Sequence, residues 1–153
     1  MKRRGSLALL VELSRRERDR VAGIAAQAQR DLDAATKTRR MLGDYRNDYE
    51  ANAPKGPARH TDALRVRVHE AFVGKLDRAI GEQDALLGHL HGRHEQQRAA
   101  LSERQRRLKA LETLQARRAD EAARRQASNE QKQTDEFAVQ AHARTRREGA
   151  HDD

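Results

Sequence analysis

Apolar residues return every seven positions along most of this chain, each followed three or four residues later by a companion. One row reads Leu7, Ser14, Val21, Ala28, Ala35, Leu42 and Tyr49, and its companions include Leu10, Val11, Ile24, Ala25, Leu32 and Tyr45. A sustained heptad stripe of this kind predicts an amphipathic helix with a coiled-coil seam. Pro54, Gly56 and Pro57 then fall within four residues. Proline removes a backbone donor and drives its predecessor away from helical angles, so a loop is expected at about 51–61. Thr61 or Asp62 can cap a second helix. Beyond the loop, one row reads Val66, Val73, Ile80, Leu87, His94, Leu101, Leu108, Gln115 and Ala122. The second reads Leu76, Gln83, Leu90, Gln97, Arg104, Leu111 and Arg118.

The expected fold is therefore all-α: two long helices forming an antiparallel coiled-coil hairpin. The boundaries are helix 1 at about 5–50, helix 2 at about 62–143 and a flexible tail at 144–153, within a single coiled-coil domain spanning 1–153. Folding back about a loop centred near 56 sets Leu42 near Phe72, Ala35 opposite Ala79 and Leu7 opposite Leu108. Past about residue 112, helix 2 has no helix 1 to lie against and overhangs at the C-terminus. Gly74, Gly81 and Gly88 repeat at seven, with Gly92 after them. They form either a smooth strip that another helix or a ring wall approaches, or an exposed row where Gly is merely tolerated.

Composition explains why so thin a seam must suffice. Leu, Ile, Val and Phe are 25 of 153 residues, too few for a globular core. Ala, Glu, Lys, Leu and Arg are 85 of the 153, a long-helix signature when a heptad period accompanies it. No apolar run approaches the ~18 residues of a membrane span. The basic, then briefly apolar, stretch Met1–Val11 lacks a small-residue cleavage site after it, so a soluble, cytoplasmic protein is expected. With no Cys, disulfides and thiolate chemistry are excluded.

The formal net charge is +8, which raises an alternative function: a basic adaptor binding nucleic acid or an acidic membrane surface. Acidic residues are interleaved with basic ones nearly everywhere, as in Arg15-Arg16-Glu17-Arg18-Asp19-Arg20, and only residues 1–20 are lopsided. That suits a solvated helix face with short-range ion pairs better than a nucleic-acid stripe.

Catalytic chemistry leaves no trace. No phosphate loop, zinc-protease or nucleophile-elbow motif occurs, and carboxylates on exposed helix faces have nothing to desolvate them. His89, His91 and His94 cluster without a Cys or carboxylate to complete a ligand set, and His94 falls on the seam row, where polar residues set register. No enzyme, cofactor or metal is expected. The aromatics are more telling. Leu42, Tyr45 and Tyr49 share spacings of three and four at the end of helix 1, and Phe72, Leu76 and Ala79 do the same on helix 2. Antiparallel pairing brings both sets to one zone, part seam core and part docking surface.

The stretch Met41-Leu-Gly-Asp-Tyr-Arg-Asn-Asp-Tyr49 resembles the MLxDYxNxY signature of the FliJ family of flagellar export proteins. Phe72-x-x-x-Leu76-x-x-Ala79-Ile80, the segment Arg107–Arg117 and the ending Gln131-Lys132-x-x-Asp135-Glu136-Phe137-Ala138 resemble further family motifs in the same order. The resemblance implies a stalk-like, cytoplasmic component of the flagellar type III protein export apparatus. It implies association with the hexameric export ATPase and promotion of ring assembly. It also implies a link to the export-gate membrane protein, assistance to export chaperones, and peripheral membrane association through those partners. The free chain would be a monomeric hairpin. The family's gate-binding surface maps onto Leu42, Tyr45, Tyr49, Phe72, Leu76 and Ala79, and its C-terminal motif onto Lys132, Asp135, Glu136 and Phe137. Thr38 and Gln83 depart from the family pattern, where Gln and His are familiar.

Overall fold

The computed structural model describes residues 2–54 and 60–148. They form two helices, α1 (Lys2–Ala51) and α2 (His60–Glu148), packed against each other, with no strand among the described residues. The middle of the expected loop, 55–59, and the end of the tail, 149–153, lie outside the described residues. α2 is already helical at His60. Thr61 and Asp62 are therefore inside its first turn rather than ahead of it, and the capping position itself is outside the described residues. At the other end helix persists to Glu148, past the sequence-based stop near 143.

α1 ends where its carbonyls find other partners. The Asn52 amide and side-chain nitrogen both donate to the Asp48 carbonyl, at 3.2 and 2.9 Å, and the Ala53 amide donates to Glu50 at 3.0 Å. Pro54 comes next and has no N–H with which to continue the ladder.

Packing groups the chain into two compact units. One is Ser14–Arg106; the other combines Met1–Leu13 with Arg107–Asp153. In the first, α1 buries Val21, Ala25, Ala28 and Ala35, and α2 buries Leu76 and His94. In the second, Leu7 and Val11 of α1 and Leu108 of α2 are buried. From Ala123 to Arg147 every residue of α2 is exposed.

The heptad rows of α2 match its buried and half-buried positions from Val73 to Gln115, whereas Val66 at the start of one row and Arg118 at the end of the other are exposed. On α1 the companion row differs in part from its sequence reading. Leu10 and Tyr45 are about half exposed. The expected companions Val11, Ile24, Ala25 and Leu32 are buried or half-buried, and the heptad row through Val11 runs on through Arg18, Ala25, Leu32, Arg39 and Arg46. Three of these are arginines, which is why a search for apolar residues passes over them. An arginine can lay its methylene stem along the seam while its guanidinium reaches a carboxylate at the rim. Arg39 does so with Asp84 of α2 at 2.6 Å, and Arg46 bonds Asp77 of α2 as well as Glu50.

Those bridges also fix a register different from one folded about position 56. The Ala35 carbonyl accepts a 3.0 Å hydrogen bond from Gln83 Nε2, about one turn beyond Ala79. Phe72 meets Tyr45 and Tyr49. From Ala63 to Val68 the side chains of α2 are exposed. Leu64 and Val68 line a groove with Tyr49 of α1 and with Asn52 and Pro54 of the connection. His69 of α2 meets Tyr49 of α1 close to the connection.

The glycine row is open. A Cβ built at Gly74, Gly81, Gly88 or Gly92 would meet nothing within 4 Å, so nothing in this chain requires the smooth strip.

Candidate docking surface

Four rings gather where α1 ends and α2 first meets it. Tyr45 and Tyr49 are one turn apart on α1, with centroids at 6.3 Å. Phe72 of α2 stands edge-on to Tyr45 at 6.1 Å and 87°, and tilted against Tyr49 at 4.6 Å. His69, one turn earlier on α2, stacks on Tyr49 at 4.7 Å and 11°. Such pairs contribute about 0.5–1.5 kcal/mol each beyond the area they cover. His69 is absent from the sequence-based site, although its place on the Leu76–Gln83–Leu90 row, one heptad earlier, is a signal that could have found it.

The cluster divides by exposure. Leu76 is 7% exposed and belongs to the core. Leu42, Tyr49, Phe72 and Ala79 are half-buried. Tyr45 is 52% exposed even though its ring meets both Phe72 and Tyr49. The structure thus brings Tyr45, Tyr49 and Phe72 into one layer, with Leu76 beneath as seam. Around it the surface is charged: Arg46 bridges Asp77 and Glu50, and its side chain is held in the charged form above the ordinary arginine range, chiefly by the hydrogen bond to Asp77.

The C-terminal motif is arranged differently. Lys132, Asp135, Glu136 and Phe137 lie on the uncovered part of α2, where Gln131 Nε2 donates to Asp135 at 3.2 Å. Phe137 is 72% exposed in a shallow groove with Gln133, Glu136 and Gln140. A second apolar surface missed by the sequence reading comes from α1, where Leu9, Leu10 and Leu13 are each half exposed or more. The sequence reading placed both Leu10 and Val11 in the companion row, and of the two only Val11 is buried.

Other candidate chemistry finds no support in the geometry. His89 and His91 are exposed while His94 is buried, so the three do not converge, and no group of three His, Asp or Glu among the described residues could hold a metal. Several carboxylates sit in ion pairs, among them Asp77, Asp84 and Glu17. Glu17 is held below the ordinary range by hydrogen bonding from Arg20, with Arg104 of α2 adding a weaker pull at 3.5 Å. No described helix is long and apolar enough to cross a membrane.

The family model described as flagellar FliJ protein matches residues 2–147. A flagellar FliJ protein of Escherichia coli (strain K12) is 28% identical over 141 residues, spanning 92% of this chain and 96% of the relative. The same figures hold for a flagellar FliJ protein of Salmonella typhi. With the match running through α1, the aromatic layer and the C-terminal motif alike, the chain belongs to the FliJ family of flagellar export components.

Proposed function

We propose that this chain is a non-catalytic, stalk-like coiled coil in the cytoplasm at the flagellar base. It associates with the hexameric export ATPase, promotes assembly of its ring, couples it to the export-gate membrane protein and assists export chaperones. Membrane association is peripheral and runs through these partners. The observation that carries the reading is Tyr45: a large aromatic, half in solvent, standing on a layer of rings already packed by the seam. Exposed aromatics on a pre-ordered support are what binding hot spots are made of, because little side-chain freedom remains to be lost on docking. Leu42, Tyr45, Tyr49, Phe72, Leu76 and Ala79 form the gate-binding site, with Tyr45 and Phe72 as contacts and Leu76 as their support. ATPase contact falls to the unit containing exposed Leu9, Leu10 and Leu13 on α1 and Lys132, Asp135, Glu136 and Phe137 on α2.

The test is the double variant Tyr45→Ala/Phe72→Ala. Its affinity for the cytoplasmic domain of the export gate should fall at least tenfold, while circular dichroism and ATPase stimulation stay close to wild type. Collapse of helicity in the variant, or unchanged gate affinity, would refute the assignment.

A further inference from the structure

The end of α1 has an unusual cap. The last carbonyls of a helix lack partners within it and are commonly satisfied by a basic side chain or a glycine turn. α1 has no basic residue in its last turn. Its Asp48 and Glu50 carbonyls are taken by Asn52 and Ala53. The Tyr49 carbonyl between them pairs with the other helix, at 2.9 Å from His69 Nε2. A carbonyl only accepts, so Nε2 carries the proton. The same imidazole lies flat on the Tyr49 ring, which touches Phe72, which in turn stands against Tyr45. One side chain of α2 therefore holds both the backbone and the ring of Tyr49.

We propose that His69 is the positioning residue of the docking surface: it closes the C-terminal end of α1 and, through Tyr49, sets the ring layer that presents Tyr45. The gate as the partner rests on the proposed function; the positioning does not. Two contacts define the role, and two substitutions separate them. His69→Gln can still donate to the Tyr49 carbonyl but has no ring to stack. His69→Phe keeps a ring against Tyr49 and loses the donor. His69→Ala loses both.

The chain has no Trp and only two Tyr, both in this layer, so its tyrosine emission reports this site alone. In His69→Ala the intensity or anisotropy of that emission should change clearly, with total helicity within a few per cent of wild type. Affinity for the gate's cytoplasmic domain should fall about three- to tenfold, and Gln and Phe should each restore part of both signals. Wild-type emission in His69→Ala, or full rescue of both signals by either substitution alone, would overturn the two-contact role. If the emission changes as expected but wild-type chain fails to bind the gate domain, the positioning stands and the gate assignment falls.

Discussion

The residues that matter most here are polar ones in seam positions. His94 is 8% exposed and its Nδ1 is buried without a hydrogen-bond partner among the described residues. An unsatisfied buried polar atom costs about 1–3 kcal/mol, and replacing it by an apolar group of similar size recovers part of that cost. His94→Leu should therefore raise the thermal midpoint by several degrees, read by circular dichroism. A lower midpoint would mean that the imidazole is satisfied and structurally required. The compensation for keeping a histidine there is register, since a polar seam residue disfavours slipped pairings. Arg18, Arg39 and Arg46 show the complementary case, stems covered and heads paired at the rim. Hydrophobicity alone could not reveal them. A four-then-three count from Leu7 does, because every position it names on α1 up to Tyr49 is buried or half-buried.

At the scale of elements, the two helices and the break between them were legible because heptad rows and clustered prolines act locally. Register was not, because it depends on how the connection runs. Asn52 and Pro54 of the connection line a groove with Leu64 and Val68, and the Ala35 carbonyl pairs with Gln83, about one turn beyond Ala79. The glycine row was ambiguous in sequence and is open in structure, with no neighbour for an added Cβ. Gly in an exposed helix interior costs about 1 kcal/mol relative to Ala. Gly74→Ala/Gly81→Ala/Gly88→Ala should thus stabilise α2 by about 2–3 kcal/mol in thermal or urea unfolding. The same variant tests for an approaching partner: normal export function in a motility assay fits an open row, whereas a stable but non-motile variant would mean a ring wall or helix packs there.

For the molecule as a whole, family membership places it among flagellar export components. Its matched relatives share its length almost entirely. Its exposed large apolar residues fall in both units: Met41, Tyr45, Leu64, Val66, Val68 and Leu86 in Ser14–Arg106, and Leu9, Leu10, Leu13, Leu114, Phe137 and Val139 in the other. The net charge of +8 is a weaker guide, since basic residues are interleaved with acidic ones, as in the pairs Arg39–Asp84 and Arg20–Glu17, rather than gathered in one stripe. The central claim is that the aromatic layer is a docking surface and not only seam. Because Tyr45 and Tyr49 are the only tyrosines, chain labelled with 3-fluorotyrosine gives two fluorine resonances, both from this layer. Titration with the export gate's cytoplasmic domain should shift and broaden the Tyr45 resonance saturably, with a smaller effect on half-buried Tyr49. Two unmoved resonances under conditions where complex formation is seen by sedimentation would contradict the account.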